Sequence, residues 1–126
     1  MEDDGKKNMK EEEEATNNPQ RAVNNATTDE QLTEILTDIK SSKSSTVIKY
    51  GSSWCRVCDH ILPAFNQMSK EFSKLNFVYA DIDECPETTQ DIRYMPTFRF
   101  FQNGERVDEM YGAGEQRLRD RLWLHS

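Results

Sequence analysis

The stretch from Thr46 to Ile82 constrains the fold more than any other part of this sequence. Thr46 to Tyr50 reads as a short strand and Phe77 to Ile82 as a second, buried one. Between them Ile61, Leu62, Phe65, Met68, Phe72 and Leu75 recur at helical spacing, which predicts a helix from near Val57 to about Lys74. Pro63 lies well inside that helix and is expected to kink it, because it lacks an N–H and crowds the preceding turn. Strand, helix and strand within about 40 residues form a βαβ unit, which implies two parallel strands and a right-handed crossover.

The flanking segments extend this unit. Val23 sits where a further strand can form. Thr27 with Glu30, or Thr28 with Gln31, is placed for a capping box. Leu32, Ile35, Leu36 and Ile39 then mark one face of a helix that ends in the polar run Ser41–Ser45. Beyond Pro86 a short helix is expected over Thr88–Ile92. Thr97–Gln102 is an aromatic-rich strand, Asn103-Gly104 is a strong two-residue hairpin turn, and Glu105–Tyr111 returns antiparallel. Gly112-Ala113-Gly114 breaks the strand before a terminal helix over Glu115–Leu124. The expected class is α/β: a central mixed sheet of four to five strands with helices on both faces.

A chain of 126 residues fits one such domain. Residues 1–20 carry seven acids and three lysines, a net −4 out of the chain's −7. The run Glu11–Glu14 repels itself and offers nothing to bury, so 1–20 reads as a disordered acidic tail and 21–126 as the domain. The acidic balance argues against nucleic-acid binding. No stretch has the length and apolarity of a membrane span. The N-terminus lacks the apolar run of a secretory signal and the acid-poor composition of a transit peptide, so cytoplasmic residence is expected.

Three cysteines, Cys55, Cys58 and Cys85, are too few to staple a small secreted domain. Cys55 and Cys58 stand where a strand hands over to a helix. Unpaired backbone N–H groups and the positive end of the helix dipole meet there, and both favour a thiolate at Cys55. The three-residue offset brings Cys58 within disulfide reach. Position assigns Cys55, the outermost, as the attacking thiol and Cys58 as the resolving one. Zinc would need four ligands, and Cys85, His60 and His125 do not repeat the required spacing. No metal site is expected, and both histidines read as surface residues.

With these elements in place the sequence resembles the thioredoxin family over about residues 21–126. Ser52-Ser53-Trp54-Cys55 and the cysteine pair, Pro63, Asp81-Ile82-Asp83, Tyr94-Met95-Pro96-Thr97-Phe98, Asn103-Gly104-Glu105 and Gly112-Ala113 match its motifs in order. The resemblance implies a thioredoxin fold and a cis bond at Met95-Pro96, with the backbone before the proline free to pair with an extended substrate. It also implies substrate contacts at Trp54, Met95, Pro96, Gly112 and Ala113. The implied activity is thiol–disulfide exchange on protein disulfides without a bound cofactor, by a monomer. Electrons would return from an NADPH-dependent thioredoxin reductase or from glutathione.

The departures from the family pattern bear on the chemistry. Arg56-Val57 replaces the usual Gly-Pro between the cysteines, as in divergent plant thioredoxin-like proteins with an arginine after the first cysteine. A guanidinium there favours the Cys55 thiolate, and Val57 removes a backbone constraint. Lys49 stands where the family usually has a buried aspartate. Two readings of it are open: a group that tunes the cysteines as a cation or a base, or a side chain that snorkels to water. Cys85 resembles an extra cysteine of some eukaryotic thioredoxins and reads as a bystander thiol. The competing function is a binding module that uses the fold to hold a partner, its cysteines slow or regulatory. Deleting residues 1–20 is expected to change the melting temperature by less than about 2 °C, as calorimetry would measure, because that segment has nothing to pack.

Overall fold

The computed structural model describes residues 23–126, and its first element is a short strand, β1 (Val23–Ala26). Helix α1 (Asp29–Ser42) follows, then β2 (Thr46–Gly51), α2 (Arg56–Glu71), β3 (Asn76–Asp81), β4 (Thr97–Gln102), β5 (Glu105–Tyr111) and α3 (Glu115–His125). The acidic tail read over 1–20 lies outside the described residues.

Local chemistry sets the boundaries. Thr28 caps α1 by accepting the Gln31 N–H at 3.1 Å, while the Gln31 side-chain oxygen accepts the Thr27 N–H at 2.8 Å. Of the two pairs open in the sequence, Thr28 with Gln31 supplies the cap, with the Gln31 side chain reaching back one residue beyond the N-cap to Thr27. Lys43 adopts a left-handed conformation (φ 59°) and closes the helix by donating to the Ile39 carbonyl at 2.9 Å. At the hairpin, Asn103 (φ 53°) and Gly104 (φ 84°) both have positive φ. A side chain on Gly104 would also stand 3.0 Å from the Lys40 carbonyl, so this corner needs glycine twice over.

The five strands order as β1-β3-β2-β4-β5. β3 pairs parallel with both β1 and β2, β4 pairs antiparallel with β2, and β5 pairs antiparallel with β4. Every residue of β2 is buried, as expected for a strand flanked on both edges and covered on both faces. Alternation divides its side chains. Val47, with Phe77, Phe98 and Phe100, packs under Ile61, Phe65 and Met68 of α2 and Leu118 and Leu122 of α3. Ile48 and Tyr50, with Val78 and Ala80, pack under Leu32 and Ile39 of α1. Phe65 centres the first layer, its ring 5.2 Å from Phe77 and 5.8 Å from Phe98.

Two expectations are corrected. Thr88–Ile92 is a series of turns, not a helix. Here Thr88 Oγ1 donates to Asp29 at 2.7 Å and Thr89 Oγ1 donates to the Cys85 carbonyl at 2.6 Å, side-chain bonds that compete with the helical ladder. Helix α2 also stops at Glu71, before the expected Lys74, with Phe72 as its C-cap.

The registers bring four loops to one end of the sheet. Gly51 pairs with Asp81, Tyr50 with Thr97, and Thr97 with Tyr111. The segments 52–55, 82–84, 94–96 and 112–114 therefore leave the sheet at the same edge, beyond the carboxyl ends of the parallel strands. Thr28→Ala is expected to cost about 1 kcal/mol of unfolding free energy, measured by urea titration, through loss of the cap.

Candidate active site

Cys55 is the N-cap of α2. Its carbonyl accepts the Asp59 N–H at 3.1 Å, the first bond of the helix, and its sulfur accepts the Cys58 N–H at 3.1 Å. The sulfur thus takes the place that a hydroxyl or carboxylate oxygen fills at most helix starts. An anion at this atom faces the unpaired N–H groups of the first turn and the positive end of the helix dipole. Cys55 and Cys58 are joined as a disulfide with their Cα atoms 5.2 Å apart. Cys55 is 8% exposed and Cys58 1%, so Cys55 is the outer of the two.

Gly51, at the end of β2, lets Cys58 come this close. A Cβ on Gly51 would sit 3.0 Å from the Cys58 sulfur. The sequence carries no signal for this role, because the contact joins a strand end to the next helix. Asp83 is a second such residue. Trp54 is largely exposed, yet its indole N–H donates to the Asp83 carboxylate at 2.7 Å, which anchors the ring beside Cys55.

The Met95-Pro96 bond is cis, as the resemblance implies. Gly112 (φ 89°) donates its N–H to the Pro96 carbonyl at 2.9 Å, tying the proline loop to the Gly112-Ala113 turn. Neither backbone group of Met95 is hydrogen-bonded among the described residues. Tyr94 and Tyr111, both exposed, meet edge to face with centroids 5.0 Å apart on this rim. Arg56 and Val57 are exposed on the first turn of α2, and Arg56 has no ion pair among the described residues.

Lys49 is the anomaly of the core. It is 1% exposed, on the same face of β2 as Val47, between Tyr79 of β3 and Phe98 of β4. Its ammonium nitrogen lies 4.9 Å from the Tyr79 ring centroid and 6.0 Å from that of Phe65, held among aromatic faces instead of reaching bulk water. It lines a cavity of about 400 Å³ together with Cys58, Asp59, Ser52, Tyr79 and Glu84. Burial lowers the Lys49 pKa to about 8, against an opposing pull from Asp59. Tyr79 is pushed up to about 12, by burial first and then by the carboxylates of Asp81, Glu84, Asp59 and Asp83, and remains a neutral phenol.

The other candidates lie elsewhere. Cys85 is fully buried, its thiol directed at the carbonyls of Ala26 and Thr28. Burial, followed by the nearby Asp29, Glu84 and Asp81, pushes its pKa up to about 11, so it stays a thiol. His60 is exposed, but His125 is not the surface residue expected. Its ring packs on Phe100 at 5.2 Å and bonds to Asp108 at 2.9 Å, because α3 folds back over the hairpin. No three metal-ligating side chains gather among the described residues. No described helix is long and apolar enough to cross a membrane.

The thioredoxin family model matches residues 23–122, the whole of this architecture up to the last turn of α3. The chain belongs to the thioredoxin family. Thioredoxin-like 3-3 of Arabidopsis thaliana is 65% identical over 113 residues, 90% of each chain. The protein of the same name from Oryza sativa is 64% identical, over 82% of this chain and 81% of its own. Among solved structures, thioredoxin of Schistosoma mansoni superposes with a TM-score of 0.75 at 28% identity, covering 82% of this chain and 98% of that one. The Nicotiana alata thioredoxin NaTrxh superposes with a TM-score of 0.79 at 24% identity, covering 89% and 98%. Within the thioredoxin frame the cysteine pair sits at the helix start and is close enough to be bonded.

The buried amine makes stability depend on pH in a defined direction. Below pH 8 Lys49 is charged in folded and unfolded chains alike, and burial of the ammonium counts fully against folding. Between pH 8 and 10.5 the unfolded chain keeps the proton that the folded one has shed, so this group's contribution to stability rises with pH. The full effect is ~3 kcal/mol, offset in part by the aromatic contacts. Lys49→Met is therefore expected to be about 2 kcal/mol more stable than the parent at pH 7, with the difference shrinking toward pH 10. Urea titrations of the two disulfide forms at both pH values measure it.

Proposed function

We infer that this chain is a thiol–disulfide oxidoreductase acting on protein disulfides through Cys55 and Cys58. The observation that carries the reading is the placing of Cys55 as the N-cap of α2, bonded to a Cys58 that is almost fully buried. The helix start favours a Cys55 thiolate, and its slight exposure leaves it the sulfur an incoming disulfide can reach. That thiolate attacks one sulfur of the substrate disulfide, and the other substrate sulfur leaves as a thiolate. Cys58 then attacks the Cys55 sulfur, closing the Cys55–Cys58 bond and expelling the second substrate thiolate. Two electrons pass from the cysteine pair to the substrate.

Substrate is held, in this reading, across the converging loops. An extended segment pairs with the free backbone of Met95 beside Pro96, and Trp54, Gly112 and Ala113 form the walls. Arg56, exposed beside Cys55, favours the thiolate, and Val57 leaves the turn unconstrained. Members of the thioredoxin family act on disulfide substrates and are reduced by thioredoxin reductase. Here the same NADPH-dependent route, or glutathione, returns the electrons to a monomeric protein in the cytoplasm.

Insulin reduction with each reductant in turn tests the activity, and single-cysteine variants test the roles. Cys55→Ser is expected to abolish turnover and trap nothing. Cys58→Ser is expected to accumulate mixed disulfides through Cys55, identified by mass spectrometry. Trapping by the Cys55 variant alone would reverse the assignment. A parent chain that reduces insulin with neither reductant, yet still retains partners, would be a binding module.

A further inference from the structure

Attack by Cys58 requires loss of its proton in a place almost closed to water. Cys58 is 1% exposed. Lys49 from β2, Asp59 from α2, Tyr79 from β3, Ser52 and the Glu84 loop share its cavity. Phe98, beside Lys49 on β4, and Leu118 and Leu122 of α3, on the same face, bring no titratable group. Asp59 is exposed and Tyr79 remains a phenol. The buried Ser52 hydroxyl has no hydrogen-bond partner among the described residues. A cavity of about 400 Å³ therefore brings the amine, the unpartnered hydroxyl and the thiol together, with the exposed Asp59 and Glu84 carboxylates and the Tyr79 phenol on its wall, and it has room for water between them.

We propose that Lys49 is the proton acceptor that activates Cys58, so that this buried amine controls how fast a mixed disulfide on Cys55 is resolved. The inference rests on the dithiol-exchange reading above and concerns its second step. The neutral Lys49 amine takes the Cys58 proton, directly or through Ser52 and water, leaving an ammonium beside a thiolate. The thiolate attacks the Cys55 sulfur, the Cys55–Cys58 bond forms, and the substrate sulfur departs with the electron pair of the broken bond. Lys49 then returns its proton to solvent. Burial supports this role, because an amine at about 8 is partly neutral near pH 7 whereas an ordinary lysine is not. The ammonium also steadies the thiolate, so amine and thiol titrate as a coupled pair.

Reaction of the reduced protein with a symmetric nitrothiobenzoate disulfide separates the two steps. Cys55 releases the first coloured thiolate and Cys58 releases the second by resolving the mixed disulfide. A Cys85→Ser background keeps the third thiol silent. In Lys49→Met and Lys49→Gln the pH midpoint of the second release is expected to move up by about one unit, slowing it about tenfold at pH 7. The first release changes less than about threefold and reports intact folding at the helix start. Independently of any Lys49 substitution, NMR titration of the Lys49 side chain is expected to give a higher midpoint in the reduced protein than in the disulfide form, as linkage to a thiolate requires. Equal midpoints in the two redox states overturn the proposal, as does an unshifted second release in a variant whose first release is intact. If the parent itself gives no second release, the exchange reading fails and this inference with it.

Discussion

Pairing of β2 on both edges is the constraint on which the rest depends. With β3 parallel on one side and β4 antiparallel on the other, its end at Gly51 coincides with the end of β3, the start of β4 and, through β4, the end of β5. Loops far apart in sequence are gathered there by hydrogen-bond register alone. A slip of one residue would carry Lys49 to the face of α1 and Tyr50 beneath the cysteines, because side chains alternate along a strand. The site is thus a consequence of how the central strand is seated.

That same strand carries the one residue that works against its burial. Val47, Phe77, Phe98 and Phe100 on the same face as Lys49 strengthen the core, while Lys49 places an amine among aromatic rings. A fold optimised for stability would put an apolar residue there. The buried amine and the Cys58 thiol open on one cavity, so the cost to folding and the chemistry of the pair meet at a single position.

Much of this was legible because it is local. The βαβ unit follows from helical spacing in Ile61, Phe65 and Met68 between two apolar runs, and the hairpin from Asn103-Gly104. Capping of α1 follows from Thr28 and Gln31, which sit in one turn. The cysteine pair and its place at a helix start could be read the same way, since spacing and strand–helix order lie within about ten residues. Thr88–Ile92 was misread because its threonines bond to Asp29, 59 residues away in sequence for Thr88, and to the turn at Cys85. His125 was misread because nothing near it in sequence foretells a ring seated on Phe100 and bonded to Asp108.

The sequence by itself determined the elements, the class of sheet and the chemistry that Cys55 and Cys58 bring to a helix start, since each depends on neighbours within a few turns. Only the tertiary structure decided that Gly51 makes room for the Cys58 sulfur, that Asp83 holds Trp54, and that Pro96 is bonded to Gly112. It also placed the Lys49 side chain inside the core instead of at the surface. Whether a lysine snorkels or stays inside depends on what covers its face of the sheet, and α2 and α3 close that face with residues drawn from both halves of the chain.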